Sequence, residues 1–159
     1  MIFVVMVSSG CRSYHLGNQS LFRSDIRTVH VAIADSNSNR RFLGQRLTEA
    51  VVKQISSTTP LTITDPALAD SVITARVVRD EKSVLTETAT DEGRAIEVGL
   101  VVEVDWTDRA GNSLMQRQSL NINHSADFIP EGGQSLVTAQ QEVIERIARE
   151  IVGQMETPW

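Results

Sequence analysis

Residues 96–106 read IEVGLVVEVDW, and the alternation within them decides the fold. Ile96, Val98, Leu100, Val102, Val104 and Trp106 fall on one parity; Glu97, Gly99, Val101, Glu103 and Asp105 fall on the other. Successive side chains of a strand point to opposite faces, so this pattern predicts a strand with one face in the core and the other mostly wet. The next stretch, Asp108 to Asn112 (DRAGN), supplies a glycine-containing turn, and Leu114 to His124 returns with Leu114, Leu120 and Ile122 on one parity. Together they predict an antiparallel hairpin.

Upstream, Ile73, Ala75 and Val77 share a face in a strand that starts at Ser71. A polar kink is expected at Asp80 and Glu81, a weaker strand over Ser83 to Thr88, and an exposed loop over Thr90 to Gly93. Further back, Arg27 to Ala34 (RTVHVAIA) places Val29, Val31 and Ile33 opposite Thr28, His30 and Ala32. Asp35 to Asn39 (DSNSN) is rich in side chains that cap helices. Leu43, Leu47, Ala50, Val51 and Ile55 then recur at helical spacing, predicting a helix from about Arg40 to Ser56 with Glu49 and Lys53 paired on its outer face. Pro60 stops it, and Leu61 to Thr64 is a short strand closed by Asp65 and Pro66.

Downstream of the hairpin, a loop with Pro130, Gly132 and Gly133 leads to a last helix that opens near Ser135. Leu136, Val143, Ile144, Ile147, Ala148, Ile151, Val152 and Met155 form its apolar stripe, and Glu142 with Arg146 and Glu145 with Arg149 form its solvated side. This element order predicts an α+β two-layer sandwich over residues 26–157: a mostly antiparallel twisted sheet with two helices packed on one face. The other sheet face, edged by Glu97, Glu103 and Asp105, is left to water or to a partner.

Composition narrows what such a domain can do. A chain of 159 residues, 41% hydrophobic and 22% charged, fits one domain. Its net charge of -5, with Lys and Arg scattered, gives no cationic stripe for a nucleic-acid backbone. Aromatic residues at 4% are too few for base-stacking platforms or for the girdles of a membrane barrel. No apolar run reaches the ~18 residues that span a bilayer as a helix.

The amino terminus carries the one strong signal. Met1 to Val7 (MIFVVMV) is apolar throughout and precedes Ser8, Ser9, Gly10 and the only cysteine, Cys11. An apolar segment, small residues and then Cys is the order of a lipoprotein signal, in which the Cys thiol takes a diacylglycerol after cleavage. Residues 1–10 are therefore expected to be a signal peptide, Cys11 the lipidation site, and residues 11–25 a tether. The alternative is that residues 1–7 form a buried strand and Cys11 a core thiol.

Catalytic and metal-binding patterns were sought in vain. His15, His30 and His124 stand far apart, in no metal-ligand spacing. Gly132 and Gly133 precede a helix but lack the rest of any phosphate-binding fingerprint. His124, Ser125 and Asp127 include the residue types of a hydrolytic triad, but as sequence neighbours they are poorly placed to oppose one another. No enzyme, metal or cofactor is expected.

The segment from Cys11 through SYHLG, then LFRSDIRTVHVAIADSNSNRRFLGQRLTEAVVKQI, then EVGLVVEVDWTDRAGN resembles the LptE lipoproteins of outer-membrane lipopolysaccharide assembly, particularly a planctomycete-like branch. The resemblance implies a lipid-anchored, non-catalytic protein on the periplasmic face of the outer membrane. Its domain would bind and plug an LptD-like β-barrel, with lipopolysaccharide a further possible ligand. Contact with lipid A phosphates would call for cations, and Arg76, Lys82 and Arg117 on strand segments are the candidates. An envelope lipoprotein that activates or tethers a periplasmic enzyme complex is the alternative.

Overall fold

The computed structural model describes residues 21–32, 34–36, 42–87, 93–115 and 120–156. The elements run β1 (Thr28–Val31), β2 (Asp35–Ser36), α1 (Leu43–Thr58), β3 (Thr62–Ile63), β4 (Ser71–Glu87), β5 (Gly93–Asp108), β6 (Leu120–Phe128) and α2 (Leu136–Gly153), with a 3-10 turn at Pro130–Gly132 before α2. The strands form one mixed sheet in the order β3-β1-β4-β5-β6, and β2 also pairs with β4. The long β4·β5 and β5·β6 pairs are antiparallel. The short edge is parallel: β1 pairs with β3 and β4, and β2 with β4. Helix α1 returns the chain between β1 and β3, which is what a parallel pair requires.

Both helices pack on one face of this sheet, α1 against β1 to β4 and α2 against β5 and β6. The alternation that defined β5 is the core: Ile96, Val98, Leu100, Val102, Val104 and Trp106 are all buried, none more than 8% exposed. Ile122, Ala126 and Phe128 of β6 and Ile73 and Val77 of β4 extend that surface. The helices answer with Leu43, Leu47, Val51 and Ile55 from α1 and Val143, Ile144, Ile147, Ala148, Ile151 and Val152 from α2. Each large aliphatic side chain so buried stabilises the fold by about 1.5–3 kcal/mol before entropy is charged against it. Ser135 caps α2 as expected, its hydroxyl accepting from the Thr138 N–H at 3.2 Å.

The structure departs from the sequence reading in four places. Helix α1 opens at Leu43, and Asp35 and Ser36 pair with Arg76 and Val77 instead of capping it. The rest of that expected turn, with Ile33 and Arg40, lies outside the described residues. Strand β4 runs unbroken through Asp80 and Glu81, and its irregularity is a register shift between Val77 and Arg79. Lastly, the turn after β5 forms where expected, but Leu114 and Met115 are not in a regular strand; residues 116–119 lie outside the described residues, and β6 runs from Leu120 on to Phe128. Asp108 organises that turn: Oδ1 accepts from the N–H groups of Ala110 (2.8 Å) and Asn112 (2.9 Å), and Gly111 takes the positive φ of 83° that few other residues tolerate. The Thr107–Ser113 bridge closes it, and the Leu114 N–H donates to the Trp106 carbonyl at 2.8 Å.

Close approach fixes how α1 docks. A Cβ on Gly44 would stand 2.1 Å from the Ala34 carbonyl oxygen, so only glycine fits. The Thr48 hydroxyl locks the joint by accepting from Ala34 N–H and donating to Gly44 C=O, each at 2.9 Å. Gly44→Ala should therefore destabilise the protein by about 1–3 kcal/mol, read as a lower urea midpoint with unchanged slope.

Two carboxylates tie loops at the other end. Asp70 is held below the ordinary carboxylate value by the Thr28 side chain, then by the N–H groups of Arg27 and Thr28 and by nearby Arg109. Asp108 is held down by the Asn112 side chain and then by backbone N–H groups of its turn. Because both folded values are depressed, their contribution is complete above the unfolded value of about 3.9 and is lost as pH falls through the folded values. Denaturation midpoints followed downward from about pH 5 should therefore fall less steeply for Asp70→Asn/Asp108→Asn than for the natural sequence.

Candidate functional site

With one sheet face covered by helices, the surfaces left exposed are the bare sheet face and the outer side of the helix pair. The bare face carries Glu97, Gly99, Val101, Glu103 and Asp105 of β5, half-buried, with the register placing Asn121, Asn123, Ser125 and Asp127 of β6 beside them. Arg76 of β4 sits here, opposite Glu103 on one side and Asp35 of β2 on the other. With Asp105 these residues line a shallow depression of about 320 Å³. Three carboxylates around one guanidinium leave the depression net negative, which opposes an incoming phosphate.

Lys82 does not join Arg76. Six residues apart on an unbroken strand, the two would share a face. The extra residue at Val78 reverses the alternation, since a one-residue slip carries every later side chain to the other side of a sheet. Arg76 stands opposite Glu103 on the bare face, whereas Lys82 stands opposite Val98 on the helix-bearing face. Arg117 and Cys11 lie outside the described residues.

The triad types are likewise separated. His124 pairs opposite Leu100 and so faces the helices, where its Nε2 meets Glu150 Oε2 of α2 at 2.6 Å. Ser125 and Asp127 are opposite Gly99 and Glu97, on the bare face. A histidine on one side of a sheet cannot activate a serine on the other. His30 is tied down too: its Nδ1 donates to the Thr64 carbonyl at 3.1 Å, joining β1 to the segment after β3. Among the described residues no group of three His, Cys, Asp or Glu is placed to hold a metal ion, and no helix is long and apolar enough to cross a membrane.

The second surface was missed in the sequence, where the helix charges read as a plain solvated side. Helices α1 and α2 leave a groove of about 330 Å³ between Arg46, Glu49 and Lys53 on one wall and Gln141, Glu145 and Arg149 on the other. Ala50 and Ala148, small residues of the two helices, line the same groove. Arg46 reaches across it to Gln141 Oε1 at 2.9 Å, and Gln141 donates to Glu145 at 3.1 Å. The charges alternate in sign, so the groove is a hydrogen-bonding mosaic with no preference for one ionic ligand.

Comparison with known proteins fits this picture. The family described as "LptE: Lipopolysaccharide-assembly" matches residues 26–157. No curated protein sequence matches the chain. Among solved structures, a Xanthomonas campestris protein aligns with TM-score 0.57 at 10% identity, covering 80% of this chain and 82% of its own. An uncharacterized lipoprotein B from Nitrosomonas europaea gives 0.53 at 14%, covering 89% and 90%. The rare lipoprotein B from Shewanella oneidensis gives 0.51 at 16%, covering 79% and 92%. At these identities the structures establish a shared fold and nothing further.

The carboxylates around Arg76 set a test. Arg76→Gln should lower stability by about 1 kcal/mol or less at low ionic strength, and the difference from the natural sequence should shrink as salt is added. A loss that persisted in molar salt would mean that Arg76 acts through packing.

Proposed function

The chain belongs to the LptE family of non-enzymatic lipopolysaccharide-assembly lipoproteins, and from that premise we propose that it is anchored through Cys11 at the periplasmic face of the outer membrane and binds inside an LptD-like β-barrel as its plug. The observation that carries this reading is the bare, hydrogen-bonding sheet face that the helices leave uncovered. A barrel lumen is polar, and a plug must offer it donors and acceptors on a rigid frame. The face of Asn121, Asn123, Ser125 and Asp127 beside Glu97 and Glu103 does so.

The direction of entry also fits. Phe22 is buried and bridges to Glu156 just beyond α2, and Arg23 lies within the field of Asp108. The tether thus joins the end of the domain that holds the Asp108 turn. The β4·β5 hairpin extends the opposite way, from Ser71 and Asp108 to Glu87 and Gly93. A lipid anchor at Cys11 would hold the first end at the bilayer and leave the hairpin to lead. Contact with lipid A phosphate falls to Lys82 and Arg117, because the carboxylates beside Arg76 oppose it.

A photo-crosslinking side chain at Asn123 tests the plug directly in cells. An adduct with one large outer-membrane barrel is expected; an adduct with a soluble periplasmic enzyme would replace the plug by the activator reading. For lipopolysaccharide itself, Lys82→Glu should weaken binding to the purified protein by about tenfold, the worth of one charge-assisted hydrogen bond. Arg76→Glu should change it little.

A further inference from the structure

We propose that the groove between α1 and α2 seats the lumen-facing side chains of one wall strand of the barrel partner, a strand that carries Lys or Arg at one position and Asp or Glu two residues away. This inference rests on the plug reading and adds to it a second contact face with its own chemistry. The observation behind it is the order of charges along the groove. Both helices run toward the end of the sheet that holds Asp108: α1 leads to Thr62, whose N–H bonds to the Arg27 carbonyl, and α2 leads to Glu156, which bridges to Phe22. Their relative register is fixed where Arg46 bonds to Gln141. About one turn further along lie Glu49 and Glu145, and a turn beyond those lie Lys53 and Arg149, all lining the groove. An acidic pair is therefore followed by a basic pair, each residue set across the groove from its own sign.

Helical spacing would let Glu49 pair with Lys53 and Glu145 with Arg149. Among the described residues neither pair forms: Glu49, Lys53 and Arg149 make no ion pair or side-chain hydrogen bond, and Glu145 is engaged only by Gln141. Like charges on facing walls repel, and an opposite charge entering between them relieves the repulsion. A single ion relieves one pair and is repelled by the next, so the groove disfavours lone cations and lone anions alike. What fits is a cation and an anion held about 6 Å apart, the rise of four helical residues. Alternate side chains of a β-strand project on the same side about 6.6 Å apart, so a base and an acid two residues apart on a strand meet both pairs at once. The wall of a barrel sends alternate side chains into its lumen and brings such a row without lowering its backbone into the groove. With the tether end toward the periplasm, the wall strand's base lies farther into the lumen than its acid. The groove and the bare sheet face look in opposite directions, so one copy inside a lumen meets the wall with both.

A photo-crosslinking side chain at Gln54, which lines the groove beside Lys53, tests this in cells on the full chain, with Asn123 as the reference on the other face. The Gln54 adduct should contain the same barrel as the Asn123 adduct, and its cross-linked wall peptide should carry Lys or Arg and Asp or Glu two residues apart. Lys53→Glu/Arg149→Glu should lower the barrel recovered with the protein about tenfold with little change in the urea midpoint, and reversing the wall strand's acid to Lys should restore it. A barrel adduct at Asn123 with none at Gln54, a wall peptide without the two charges, or undiminished recovery of the barrel by the double variant would each overturn this inference and leave the plug standing. No barrel adduct at either position would overturn the plug and this inference with it.

Discussion

Six alternate side chains of β5, from Ile96 to Trp106, are buried on one side of the sheet, and the rest of the fold is arranged around that burial. The strand is flanked by β4 and β6, so its backbone groups are satisfied within the sheet and its apolar face can be covered only from above. Helix α2 supplies the cover along β5 and β6, and α1 continues it over β1 to β4. Since strand side chains alternate, burying one parity commits the other to the outside. The bare face with Glu97, Glu103 and Asp105 is therefore a consequence of the core and not an independent feature.

That is also why the centre of the structure could be read from the sequence and its margins could not. The period of two in β5 and the helical period in α2 are long and uninterrupted, and Ser135 announces its helix by a side-chain oxygen that the backbone needs. The bulge at Val78 leaves no such mark. It falls in the apolar pair Val77 and Val78, with no glycine or proline to flag it, and the kink was expected instead at the polar residues just beyond. The cost of missing it was to group Arg76 with Lys82, which the sheet holds apart. Asp35 and Ser36 have the composition of a cap and were drawn into the sheet because β4 is long enough to offer them an edge. The groove between the helices, lined by Ala50 and Ala148 among others, joins two distant segments, which no local pattern encodes. The proposed roles of Cys11 and Arg117 rest on the sequence alone.

The distribution of polar groups fits a protein that works by contact. His124 is engaged with Glu150 on the helix side, away from Ser125 and Asp127, and His30 is used to join strands. Arg76 is surrounded by carboxylates, and Arg46 is spent on Gln141. Both exposed surfaces mix donors and acceptors of either sign, which suits a polar protein wall better than a single ionic ligand. Fold likeness to distant lipoproteins cannot by itself choose among partners, because one sandwich can serve many. Membership of the lipopolysaccharide-assembly family and the bare polar face are what the proposed barrel partner rests on.

The most direct measurement is to purify the C-terminally tagged protein from gently solubilised membranes and identify whatever accompanies it in stoichiometric amount, with Cys11→Ala as the comparison. One large outer-membrane barrel, recovered in equal amount and reduced when the anchor is removed, is the expected result. Recovery without a barrel, or with a periplasmic enzyme in its place, would contradict the plug.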